Sequence, residues 1–200
     1  MSSEQYNVVL DGFKDWIRWS DIIDNAKYDS PAQLVELNSS CLQINATIQP
    51  ENDNDYINHL ITSIKMLPPE EVVKTSLVSS KIADVLKMQK SYISVFKNSY
   101  TLLPVNAVVF DYVRNEIPFQ RYLAYYFEPN ALYSIGLYRR SGKFAISVGK
   151  NPWKEFQSKN LGEICKAFGG GGRVNVGSIF VLSYKKACAI IDKICLLLST

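Results

Sequence analysis

The segment Phe168-Gly169-Gly170-Gly171-Gly172-Arg173-Val174-Asn175-Val176-Gly177-Ser178 sets four consecutive glycines and an arginine between two apolar stretches. Residues without Cβ can take φ > 0 and turn successive backbone N–H groups toward one concave point, which suits an anion, most naturally a phosphate. Arg173 adds a fixed positive charge and a fork of donors that matches phosphate oxygens. The same run also suits a tight turn where two backbones approach closely with no ligand between them. A second basic feature, Arg139-Arg140, ends an apolar run just before Ser141-Gly142. On extended chain, adjacent side chains point to opposite faces, so one arginine can face a ligand while the other faces solvent. With Arg173 they would clamp a phosphate or carboxylate; alone they read equally well as solvated turn residues.

Other chemistry-bearing residues are sparse. Asp21 and Asp24 could ligate a metal or act as a base, but a lone carboxylate pair on a helix is usually solvated or capping. The one histidine, His59, lies mid-helix beside Tyr56 and Leu60, which reads as a satisfied structural histidine. No Ser/His/Asp or Cys/His set for nucleophilic catalysis stands out. Trp153 and the aromatics Tyr122, Tyr125, Tyr126 and Phe127 could stack on a base, although such clusters are more often core. Cys41, Cys165, Cys188 and Cys195 form no CxxC pair, so reduced thiols of a cytoplasmic protein are expected rather than a disulfide or zinc scaffold. No signal peptide is visible, and the apolar run at 194–198 is too short to span a bilayer, so no membrane partner is expected.

These residues must be positioned by a chain of 200 residues, long enough for one large or two small domains, with ordinary globular composition of 47% hydrophobic and 20% charged residues. Residues 1–100 hold nine Lys/Arg against thirteen Asp/Glu, and residues 101–200 hold thirteen against six. The half with the glycine run is therefore the half that attracts polyanions. Tyr6, Val9, Phe13, Trp16 and Ile17 recur at helical spacing. Ser30-Pro31 starts a second helix through Leu34, Leu37 and Leu42, and 52–66 is a third. Pro68-Pro69-Glu70-Glu71 opens a long helix that no glycine or proline interrupts before Leu103. After Leu103-Pro104 short strands and helices alternate: strands at 105–110, 132–137, 143–148 and 178–182, and helices at 118–127, 161–168 and 184–198. The fold class is α/β (α+β). The division expected is 1–68 helical, 69–103 a connector helix, and 104–200 a small mixed-sheet domain.

Several of these segments together resemble one family. Tyr138-Arg139-Arg140-Ser141-Gly142, then Val148-Gly149-Lys150-Asn151-Pro152-Trp153, then Leu161-Gly162-Glu163-Ile164-Cys165, then the glycine run with Arg173 resemble the DHHA1 domain, the C-terminal substrate-binding module of the DHH phosphoesterase superfamily. The family's glycine run is usually followed by histidine; here Arg173 stands in that place, a permanent cation instead of a neutral acceptor. Trp19-Ser20-Asp21-Ile22-Ile23-Asp24-Asn25-Ala26 resembles the tail of a DHH catalytic domain, in which Asp24 matches the last metal-binding aspartate. The resemblance implies Mn²⁺ if a complete site is assembled. It also implies a phosphate or terminal nucleotide held by Gly169, Gly170, Gly171, Gly172, Arg173, Arg139 and Arg140. The family's Asp-His-His triplet is missing, as is an Asp-x-Asp after an N-terminal strand, and Asp11-Gly12-Phe13 is a poor substitute. The expectation is a protein that binds phosphorylated small molecules or short oligonucleotides and does not hydrolyse them alone. The alternatives are a metal-dependent phosphodiesterase or nuclease that acts with a partner chain or as a homodimer, and a non-catalytic interaction module.

Overall fold

The structure is a computed structural model that describes residues 13–49 and 54–199. Part of the expected first helix, with Tyr6, Val9, Asp11 and Gly12, lies outside them. The chain divides into two compact units, 1–90 and 91–200. That division falls inside a helix rather than near 100–104, because Phe96 belongs to the packing of the second unit, where its ring stacks on Phe110 at 4.3 Å between centroids.

The first unit is helical: α1 (Lys14–Asp24), α2 (Pro31–Val35), α3 (Ser40–Thr47), α4 (Asn54–Met66), α5 (Pro69–Val72) and most of α6 (Ser76–Ser99). Ser30 caps α2 as expected, its Oγ accepting from Gln33 N, with Pro31 in the first turn. The single helix expected from Pro31 to Leu42 is two helices. Ser39 caps a second start by accepting from Leu42 N, and Leu37 takes φ of 50° between them. The long helix expected from Glu70 is also broken. Lys74 and Thr75 donate their N–H groups to Glu71 and Val72, a tighter i to i−3 pattern, and Thr75 Oγ1 adds a bond to the Val72 carbonyl. Hydroxyl side chains that compete for backbone carbonyls explain the stop, and α6 restarts at Ser76. Ile44, Tyr56, Leu60, Val72, Val78 and Ile82 form the core of this unit.

The second unit is built on a six-stranded sheet: β1 (Thr101–Leu103), β2 (Ala107–Asp111), β3 (Tyr133–Arg140), β4 (Lys143–Lys150), β5 (Gly171–Arg173) and β6 (Val176–Val181). The order is β1-β2-β3-β4-β6-β5, with β2 and β3 parallel and the other neighbours antiparallel. Three helices accompany it: α7 (Leu123–Phe127), α8 (Leu161–Lys166) and α9 (Tyr184–Ser199). The helix expected over 118–127 is only its last five residues, since Ile117-Pro118-Phe119 runs without helical structure. Strand alternation sorts the residues of the sheet into two faces. One carries Tyr133, Ile135, Leu137, Ile146, Val148, Ile179 and Val181, which pack with Leu161 and Cys165 of α8 and Ala187, Ile191 and Ile194 of α9. The other carries buried Val108 and Phe110 and the small residues Ser134, Gly136, Ser147, Gly149 and Ser178, with Phe119, Arg121 and Tyr125 packed over Gly136, Ser134 and Gly149.

Candidate functional site

The glycine run is a helix cap followed by an edge hairpin. Asn160 Oδ1 accepts from Glu163 N and starts α8. At its other end Phe168 and Gly170 both donate N–H to the Cys165 carbonyl, and Gly169 N donates to Lys166 O. Gly169 takes φ of +80°, the left-handed residue that closes a helix C-terminus. The chain then enters β5, turns at Val174-Asn175, and returns as β6. A Cβ on Gly170 would lie 2.1 Å from Ser178 O, and one on Gly172 would lie 2.2 Å from Val176 O. Beneath them α8 presses its backbone on the hairpin: a Cβ on Gly162 would lie 2.8 Å from Gly172 C, and one on Gly177 would lie 2.4 Å from Cys165 Sγ. Burial in that contact pushes the Cys165 thiol up to about 11. The four glycines therefore do not aim four N–H groups at one point, because those of Gly169 and Gly170 are spent on α8. Gly169 is explained by its φ, and Gly170 and Gly172 by close approach. Gly171 is different, with no atom within 4 Å of where a Cβ would stand and no positive φ.

Register shows what Gly171 and Arg173 look onto. Residues directly opposite across antiparallel strands share a face. Gly136, Ser147, Ser178 and Gly171 form one cross-strand row over β3, β4, β6 and β5. Ser134, Gly149, Val176 and Arg173 form the next row, two residues along. Both rows lie on the face away from α8 and α9. The result is a floor of small residues and Val176, buried at its inner end and half-exposed at Ser178 and Gly171, with exposed Arg173 at its outer edge. Gly172 and Gly177, one residue out of step, face α8 instead.

Arg121 reaches the inner end of this floor, a residue that sequence reasoning did not single out. Its Nη2 donates to Ser147 Oγ at 3.0 Å, and its guanidinium carbon lies 5.8 Å from the Phe119 ring centroid. Its stem crosses Gly149, where a Cβ would come within 3.2 Å of Arg121 Cδ. Beside it, the buried Tyr125 hydroxyl bonds Ser134 Oγ and the Gly149 carbonyl, each at 2.9 Å, and burial raises its pKa above the ordinary phenol value. Nothing in the local sequence marks Arg121. Only the i, i+2 spacing of Ser147 and Gly149 hints that β4 has a small-residue face.

Arg139 and Arg140 end β3 and face opposite ways, as extended chain requires. Arg139 lies over Phe144 at 4.7 Å on the helix-covered side, and Arg140 is exposed opposite Lys143 beside the Ser141-Gly142 turn, where both residues have positive φ. Counted on β4, Arg139 and Arg173 stand five residues apart along the sheet and three strands apart across it. That is roughly 17 Å by 14 Å. One phosphate cannot be clamped by all three arginines at once, and the register corrects that expectation.

The remaining candidates have local roles. His59 Nε2 lies 3.4 Å from Thr75 Oγ1 and 3.5 Å from Ser63 Oγ, a satisfied histidine within the first unit. Asp24 is exposed at the C-terminal end of α1, the end where a helix least favours an anion. Asp21 is held by Asn25 Nδ2 at 2.8 Å and Lys27 Nζ at 3.0 Å. Among the described residues no three His, Cys, Asp or Glu come together to hold an ion, so the described groups do not by themselves make up a two-manganese site. Asn151 is buried and brackets its loop, donating to the Ala131 carbonyl and accepting from Trp153 N. Trp153 packs edge-on against Tyr122 and Tyr125; Tyr125 is buried, and Tyr122, Tyr126, Phe127 and Trp153 are half-buried. The cysteines are all free, with Cys41 and Cys165 buried. No described helix is long and apolar enough to cross a membrane.

No family model matches the sequence, and no curated protein matches it. Solved structures do. The pGpG-specific phosphodiesterase PggH from Vibrio cholerae superposes with a TM-score of 0.70 over 92% of this chain and 67% of its own, at 16% identity. An exopolyphosphatase-related protein from Bacteroides fragilis scores 0.43 over 80% of this chain and 51% of its own, at 11% identity, too low to carry weight. The likeness to PggH is one of fold. It bears out the α/β fold class read from the sequence.

Proposed function

We propose that this protein binds a phosphate ester, either a phosphorylated small molecule or a short 5′-phosphorylated oligonucleotide, on the open sheet face beside β5. The observation that carries the reading is Gly171. It is the residue of the glycine run that neither caps a helix nor touches packed backbone, and it leaves the main chain open beside the exposed cation Arg173. A phosphate fits there because an edge strand has an outward backbone row and Arg173 supplies forked donors. The fold it shares with a pGpG-specific phosphodiesterase makes pGpG a sensible first probe. We further propose that the chain binds rather than cuts when alone, since its described carboxylates do not assemble a metal site. Hydrolysis would need ligands from a partner chain or a second copy.

Calorimetric titration of pGpG into wild type, Arg173→Ala and Gly171→Val tests this. Gly171→Val should fold as wild type, because its site is open and its backbone is extended, yet it should lose binding by filling the space over the floor. Arg173→Ala should weaken binding about tenfold or more. Absence of binding by wild type, or unchanged affinity in both variants, rejects the phosphate site. Manganese-dependent hydrolysis by the purified chain, abolished in Asp24→Ala, would reject the non-catalytic part.

A further inference from the structure

We propose that Arg121 is a second anion-binding residue, and that it and Arg173 hold a phosphate ester between them across the Ser147–Ser178–Gly171 floor. This deepens the proposed function and rests on it for the identity of the ligand. The argument begins with an imbalance of charge. Arg121 is half-buried, yet no carboxylate among the described residues pairs with it, and it meets a neutral serine and a phenyl ring. Its Nε is buried with no hydrogen-bond partner. A guanidinium taken partly out of water without a counter-charge destabilises the fold unless something else answers it. Proteins that need such a group only for packing can use a neutral side chain of similar length.

The surroundings are shaped around this cation. Gly149 lies under its stem, where any Cβ would press on Cδ and Nε. Ser147 anchors Nη2 at the floor and so fixes the plane of the fork. Next along the row come Ser178, half-buried, and the open Gly171, two strand spacings or about 10 Å from Ser147. Arg173 stands at the same remove from Gly149, on the same face. The backbone of Arg173 and the strand that anchors Arg121 thus stand about 10 Å apart on one face, within reach of two forked side chains closing on one phosphate ester. The register that separates Arg139 from Arg173 puts Arg121 in the place the third arginine was expected to fill.

The test uses Arg121→Met, which keeps the stem and removes the charge, and Arg121→Lys, which keeps the charge and loses the fork. Thermal melts in chloride and in inorganic phosphate at matched ionic strength, and calorimetry with pGpG, supply the readouts. In chloride, Arg121→Met should melt at or above wild type, because an unanswered charge is gone. Phosphate should raise the melting temperature of wild type and not of Arg121→Met, and pGpG affinity should fall at least about tenfold in Arg121→Met and less in Arg121→Lys. A structural role gives the opposite pattern, a lower melting temperature with the phosphate shift and pGpG affinity intact, and overturns the proposal. If pGpG binds and depends on Arg173 but not Arg121, the proposed function stands and this inference falls. If pGpG fails to bind but phosphate stabilises through Arg121, the anion site stands and the ligand reading falls. If neither binds, both fall. Should Arg121→Met not fold, the same comparison between wild type and Arg121→Lys decides.

Discussion

Four identical residues in a row have different jobs here, and the differences are measurable. Gly169 is needed for its dihedral angle, Gly170 and Gly172 for lack of a side chain, and Gly171 for neither. Alanine at Gly172 must displace the Val176 carbonyl and Gly177 Cα, both backbone, which cannot rotate away as a side chain would. Overpacking of that kind costs about 1–3 kcal/mol. Each kcal/mol lowers the melting temperature of a chain this size by about 2–4 °C. Gly172→Ala and Gly170→Ala should therefore melt several degrees below wild type. Gly171→Ala should match wild type or exceed it, since removing glycine entropy at a compatible position stabilises by about 0.4–1 kcal/mol. Differential scanning calorimetry of the three single variants checks this. Equal losses at all three positions would mean that Gly171 is packed and that the open site does not exist.

At the scale of elements, the contact of α8 with the β5–β6 hairpin holds the floor in place. That contact sets backbone on backbone at Gly162 and Gly172, and Gly177 against the Leu161 carbonyl and the Cys165 side chain. Gly162→Ala should lever the hairpin away from α8 and so reduce both stability and pGpG affinity. Asn160→Ala removes the cap of the same helix, which costs about 1 kcal/mol of stability, and should leave affinity unchanged because the hairpin is not displaced. Melting curves paired with titrations of the two variants separate the effects; parallel loss of affinity in both would mean that only global stability matters. This contact also marks where sequence reading succeeds and fails. The period-two runs in β3 and β4, and the short amphipathic segment that becomes α8, are legible because burial on one face imposes a period on the residues. The long helix broken at Thr75 is not, because hydroxyl competition for carbonyls leaves no mark on the apolar stripe that continues past it. The strand within the glycine run is also invisible, since β5 is dictated by its partners β6 and α8 and not by β-propensity. Arg121 was missed for a related reason. A lone arginine between Gln120 and Tyr122 gains meaning only when the fold sets Gly149 and Ser147 beneath it.

At the scale of the whole molecule, charge is unevenly shared, with thirteen Lys/Arg against six Asp/Glu in residues 101–200. The field of that half favours anionic ligands at a distance, while Arg121 and Arg173 act at contact. For a single-stranded ligand, each phosphate neutralised adds about −0.7 to the slope of log K against log salt. A pGpG titration series from low to moderate salt should show a negative slope that becomes shallower by about that amount in Arg173→Ala. The pH dependence follows from which partner titrates. Arginine stays charged throughout, while a terminal phosphate gains its second charge with a pKa near 6. Wild-type affinity should therefore rise from pH 5 to 7 and then stay level to pH 9. Arg173→His places there the residue type usual in the resembling family. Its imidazole loses charge near pH 6.5, while the ligand gains charge over much the same range. Its affinity should pass through a maximum near pH 6 and fall at higher pH. A wild-type profile that also peaks near pH 6 would mean that a titrating side chain, and not the two arginines, holds the phosphate.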